Sequence, residues 1–213
     1  MRKVIKILAK VLSAIILLLI FLPIFATLLL NIGSVQNFVV GHASKYLSDY
    51  LETHVSIRRI DMDLFTRVRV EGFYVEDYEQ DTLLYVDRAS AYISSLNVKR
   101  DGLVLNDAKA NDAKFYVREM ANGELNIRPI VAKLQNPKKK NKFRLYIDDL
   151  TVEDLDFCYT RLVPRNPEYG VDYADIRIYD AEGRIDNFSV VSGAVSGDIK
   201  SFSATKSIGT SGI

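Results

Sequence analysis

The spacing of hydrophobic residues changes twice along this chain, and each change predicts a different kind of element. From Val11 to Leu30 there is no spacing at all: twenty residues run without a charge, preceded by Arg2, Lys3, Lys6 and Lys10. A helix of that length rises about 30 Å, the thickness of a bilayer's hydrocarbon core. Residues 1–31 are therefore expected to be a cytoplasmic basic start and a transmembrane signal anchor, with the rest of the chain on the far side. A cleaved signal peptide would have a shorter apolar core and a small-x-small cleavage site. Phe25-Ala26-Thr27-Leu28-Leu29-Leu30 keeps large residues where two small ones are wanted.

The second pattern has the period of a helix. Val35, Phe38, Val39, His42, Ala43, Tyr46, Leu47, Tyr50 and Leu51 form a stripe, with Ser34 placed to cap it and Gln36, Asn37, Lys45, Ser48, Asp49 and Glu52 opposite. Residues 32–54 are expected to be an amphipathic helix that caps the first strands. The alternative cover for its stripe is a membrane interface, but such helices carry a Lys/Arg-rich polar face and this one has Lys45 alone.

From Val55 the period drops to two, the mark of strands with one covered and one wet face. His54 to Arg58, Thr82 to Leu96 and Asp154 to Arg161 are candidate strands, separated by polar clusters at 77–81, 99–102, 121–123 and 164–169. No later segment shows a helical stripe, so residues 55–213 are expected to form one mainly antiparallel β domain of about a dozen strands.

These strands repeat one another. Leu103, Leu105, Asp107, Asp112 and Phe115 match Leu145, Ile147, Asp149, Asp154 and Phe157 at a constant offset, and weaker copies run through Val70, Gly72, Val75 and Asp77 and through Ile185, Asn187, Phe188 and Val190. In each copy the apolar alternation breaks and resumes on the other parity. Ile147 and Leu150 would point to opposite faces of a regular strand, so a bulge or corner is expected at Asp148-Asp149. Strands bent at the same place in every unit would stack into an elongated trough. Phe115, Val117, Leu145, Ile147, Leu155, Phe157 and Tyr159 are the candidates for its apolar lining; a filled sandwich core is the other reading of the same residues.

Charge narrows the partners. Four of the 28 basic residues and none of the 27 acidic ones precede the apolar run, leaving 24 basic against 27 acidic beyond it. A mildly acidic body argues against nucleic acid as a partner. Cys158 is the only cysteine, so no disulfide can form within the chain, and a small buried hydrophobe is its expected role. His42 and His54 are the only histidines, and no Gly-rich phosphate loop is present. Catalytic, metal and cofactor sites are therefore not expected, and Asp pairs such as Asp148-Asp149 read as turn residues. The basic run Lys138-Lys139-Lys140-Asn141-Lys142 reads as a solvated linker.

In its order of features the chain resembles the N-terminal part of the TamB/AsmA-like family of envelope proteins, above all the versions found in the Bacteroidetes. The resemblance lies in the basic start and apolar run, then Val35-Gln36-Asn37-Phe38, Val55-Ser56-Ile57, Gly72-Phe73-Tyr74-Val75-Glu76-Asp77 and Asp81-Thr82-Leu83-Leu84-Tyr85-Val86. Asn122-Gly123-Glu124-Leu125-Asn126-Ile127 and Ile147-Asp148-Asp149-Leu150 follow in the same scheme, over residues 1–203. It implies a single-pass inner-membrane protein of a Gram-negative cell, with a taco-like β groove in the periplasm. It also implies phospholipids as ligand, movement of lipid towards the outer membrane, and an outer-membrane barrel of the BamA type as a partner. Family members run past a thousand residues, so it further implies that this chain is the first part of a longer groove, truncated or frame-shifted. The alternative function is an anchored interaction module that binds such a barrel or its clients by strand addition.

Overall fold

Every described strand after the first helix joins a single sheet, and the joining follows from the alternation that made the strands. The computed structural model describes residues 33–63, 67–97, 102–135, 144–162, 175–191 and 194–209. The expected anchor at Val11 to Leu30 and the basic run 138–142 lie outside the described residues. Among the described residues no helix is long and apolar enough to cross a membrane.

Helix α1 (Gly33–Leu51) leads into two short strands, β1 (Val55–Ser56) and β2 (Arg59–Met62), which both pair with the same side of β3 (Arg67–Glu76). Long strands follow: β4 (Thr82–Asn97), β5 (Gly102–Glu119), β6 (Arg144–Arg161), β7 (Asp175–Val191) and β8 (Ala194–Gly209). The chain is mainly β, in one open eight-stranded sheet ordered β1-β3-β4-β5-β6-β7-β8, with β2 beside β1 on the β3 edge. Seven strand positions at ~4.8 Å spacing span roughly 30 Å, half of what a dozen strands would give.

Two expectations need correction. The sheet is not antiparallel throughout, because β5 and β6 are parallel. A short helix between them, α2 (Arg128–Leu134), was not expected either. The two corrections have one cause. The connection from Glu119 to Arg144 is longer than the dozen or so residues a parallel crossover requires, and its described part carries α2. Pro129 sits in the first turn of α2, where its fixed φ suits a helix start.

The repeat in the sequence is this parallel register. Leu103 pairs with Leu145, Leu105 with Ile147 and Phe115 with Phe157, so the equivalent residues of the two copies lie side by side. Where the copies break, the ladder breaks. The pairs at 106–107 with 148–149, and Asp112 with Asp154, are missing from an otherwise continuous register. Asp107, Asp112, Asp154, Asp180, Asn187 and Gly72 have positive φ, between 45° and 62°. These are the residue types that enter the left-handed region at least cost. Gly72, Asp87, Asp112 and Asp154 lie opposite one another on four adjacent strands, so one line of breaks crosses β3 to β6. A bulge bends its strand, and bulges aligned across strands bend the sheet.

One apolar cluster sits at an end of the sheet. Val55, Val75, Leu83 and Ile130 are buried there, with Leu47 and Leu51 of α1, Phe73, Leu84, Phe115 and Ile127 packed around them. The two helices thus cover the C-terminal end of β3 and the adjoining ends of β4 and β5. Turn 77–81 is clasped to β5 beside this cluster. Asp77, only 1 % exposed, accepts from the backbone N–H groups of Glu79 and Asp81, from Asn126 Nδ2 at 2.9 Å and from the Arg118 guanidinium.

Candidate functional site

Each break in alternation shifts parity by one, and its effect is to keep one face of the sheet apolar along its whole length. Across β3, β4, β5, β6, β7 and β8 the register aligns Val70, Ala89 and Ala110 with Val152, and Leu155 with Ala181 and Ala204. Ile147 and Leu150, which a regular strand would send to opposite faces, line the same hollow together with Leu105 and Ala108. The parity shift expected at Asp148-Asp149 is therefore present, with its left-handed residue, Asp107, on the neighbouring strand. The opposite face carries polar rows: Arg69, Ser90, Lys109, Thr151 and Arg184 succeed one another there, and Arg88 of the next row and Arg184 are paired to Asp112 and Asp149 at 2.6 and 2.8 Å.

All seven lining candidates lie on the apolar face, but not in one environment. Leu145 and Ile147 belong to a cluster with Ala91, Ala108, Leu105, Leu150 and Phe188, away from the helices. Leu155 borders a second hollow with Ala181, Ile185, Ile199 and Phe202. Phe115 packs under the helices, and its ring meets Phe157 at 5.9 Å between centroids. Val117 is buried. Tyr159 marks the end of the apolar strip, since its hydroxyl donates to Glu119 Oε2 at 2.6 Å and Arg161 Nε reaches the same oxygen at 3.1 Å.

The helices cover only one end of this face. A sandwich would bury the inward residues of its central strands. Among the apolar-face residues of β6 and β7 only Ile147 and Ala181 are buried, while Leu145, Leu155, Phe157 and Ile185 are half-buried. On β8, Val195, Ile199 and Phe202 are 66 %, 72 % and 61 % exposed. No second sheet faces them among the described residues. Two shallow apolar hollows result, of about 310 Å³ between β3 and β6 and about 240 Å³ between β6 and β8. The first is lined by Val68, Ala91, Leu105, Ala108, Ile147 and Leu150 among others, and has almost no polar wall. Sequence reasoning found Ile147 and Leu155 but missed the β3, β4, β7 and β8 contributors. The small residues Ala91, Ala108 and Ala181, which make the hollows, carry little hydrophobic signal on their own.

Other chemistry is sparse. Cys158 is half-buried on the polar face rather than in the core, and burial pushes its thiol pKa up despite the nearby Arg177. His42 Nδ1 lies 3.2 Å from the Phe38 carbonyl oxygen, and His54 meets the Tyr74 ring edge-on. Among the described residues no three His, Cys, Asp or Glu side chains are placed to hold a metal ion. No protein-family model matches the chain, and no curated protein matches it.

Proposed function

We propose that this chain is a membrane-anchored lipid-binding module whose bent sheet shields acyl chains along its apolar face, as part of phospholipid transport between two membranes. The observation that carries the reading is the apolar strip, largely buried on β4 and β5, half-buried on β6 and β7 and wide open on β8. Contiguous apolar surface of this kind on a folded protein needs an occupant. A phospholipid fits the demands of the strip: its tails require a dry surface and its headgroup tolerates water, so an open trough serves without any covalent step. The Val11 to Leu30 run would place the module beside a lipid source, and the resemblance to the TamB/AsmA-like family points to the periplasmic side of an inner membrane.

The test is lipid extraction and mass spectrometry on the chain from Ile32 onwards, purified without detergent and checked for β structure by circular dichroism. Phospholipid in stoichiometric amount is expected. A folded, lipid-free monomer would contradict the proposal.

One feature favours a second reading, an interaction module that works by strand addition. Strand β8 is sixteen residues long and, among the described residues, pairs only with β7. A long edge with open backbone groups is a template for another strand, whether from a barrel of the BamA type or from a client. This reading predicts binding that a proline in β8 abolishes and that changes to the apolar hollows leave intact.

A further inference from the structure

Helix α1 faces only in part the way its sequence stripe implies: Leu47 and Leu51 pack inward, but Phe38, His42 and Tyr46 do not. Its inner side is fixed to β1 and β2 by polar groups. Ser48 Oγ donates to the Val55 carbonyl at 3.1 Å and accepts from the Val55 N–H at 2.9 Å, while Ser44 Oγ accepts from the Ile57 N–H at 3.1 Å. Gln36 Nε2 reaches Asp61 Oδ1 at 3.1 Å. These bonds set the rotation of the helix, and they turn three ring-bearing residues of the stripe outward. Phe38 and Tyr46 are 63 % and 60 % exposed, with His42 exposed between them. The ring of His42 lies 4.1 Å from that of Phe38, and Tyr46 stacks on Tyr50 at 6.2 Å. Lys45 and Asp49 share this side and pair with each other at 3.7 Å, so the face is aromatic with no net charge.

We propose that the Phe38, His42 and Tyr46 face of α1 lies in the interfacial zone of a lipid bilayer and holds the start of the sheet against the membrane. The position of the helix in the chain selects this occupant. Only Asn31 and Ile32 separate the end of the twenty-residue apolar run from Gly33, and two residues reach at most about 7 Å. The inference rests on the reading of that run as a membrane anchor. Aromatic side chains with an apolar body and a polar tip are the residues enriched at headgroup level. The scarcity of cations on α1 does not oppose this; it means that binding comes from apolar area rather than from attraction to anionic lipid, so it is insensitive to salt and to headgroup charge.

The chain contains no tryptophan, so a single introduced indole reports without background. Phe38→Trp, Tyr46→Trp and, on exposed β8, Ser201→Trp are made separately in the full chain and reconstituted into phosphatidylcholine vesicles with and without brominated acyl chains. Blue-shifted emission at positions 38 and 46, quenched by brominated lipid roughly several-fold more strongly than at 201 and unchanged in high salt, is expected. Emission at 38 and 46 that matches 201, in protein that floats with the vesicles, overturns the inference and leaves the anchor standing. Blue-shifted emission that bromine does not quench and that grows with protein concentration overturns it in favour of a second copy. Protein that does not float with the vesicles removes the anchor and the inference together.

Discussion

At the scale of single residues, the two positions with most at stake are Asp77 and Gly72. Burial by itself would raise the pKa of Asp77, but the bonds from Asn126, Arg118 and the Asp81 N–H outweigh it, and the carboxyl is held below its ordinary range. A folded-state pKa below the unfolded one stabilises the fold above the usual carboxylate range, and that stability is lost as pH falls through the folded value. Urea unfolding midpoints should therefore fall as pH drops below about 4, and Asp77→Asn should flatten that part of the profile. The same variant should cost on the order of 3 kcal/mol at neutral pH, because Arg118 and Asn126 lose their shared acceptor in a buried setting; an unchanged midpoint would count against the clasp. Gly72 has φ +62°, and a Cβ there would meet Arg58 Cβ at 2.8 Å. Gly72→Ala should destabilise by about 1–3 kcal/mol, read from the same unfolding curves, whereas at an unconstrained strand position the exchange would be neutral or favourable.

At the scale of elements, hydrogen bonding decided what hydrophobic spacing left open. The stripe on α1 predicted Phe38, His42 and Tyr46 as inward; the structure turns Ser44 and Ser48 inward, because β1 has buried backbone groups that only a polar partner satisfies. Ser48→Ala removes both bonds to Val55, itself 2 % exposed, and should cost about 1–3 kcal/mol. Hydrogen exchange should then quicken in residues 44–57 ahead of the long strands; uniform exchange across the sheet would contradict a local clamp. The long strands were legible because their apolar and polar residues alternate between the breaks, and the turns at 77–81 and 121–123 because they carry Asp, Asn and Gly. The break at Asp107 and Asp148-Asp149 was legible because it recurs at one offset; the break at Asp112 and Asp154 was not read as one, because the residues after it alternate regularly. What that offset meant was not legible: a repeat read as stacked hairpins is a parallel register, since spacing carries no strand direction. Helix α2 escaped because Arg128–Leu134 is only two turns long, too short to display a stripe.

At the scale of the whole molecule, the fold is a one-sided sheet. Its breaks hold apolar residues of six strands on one face, and its helices cover one end of that face, with no other described element over the rest. Sequence reasoning could place the lining residues on a common face but could not choose between a trough and a sandwich, because both need the same alternation. That choice depends on whether a second layer exists, which is a property of the assembled elements. The claim that the open face receives acyl chains is tested most directly by a photo-crosslinking amino acid introduced in the full chain in cells. Adjacent positions on opposite faces are compared: Leu150 with Thr151, and Ile185 with Arg184. The account predicts adducts of phospholipid mass at 150 and 185 and none at 151 and 184. Equal labelling of both faces, or protein adducts alone at 150 and 185, would contradict it.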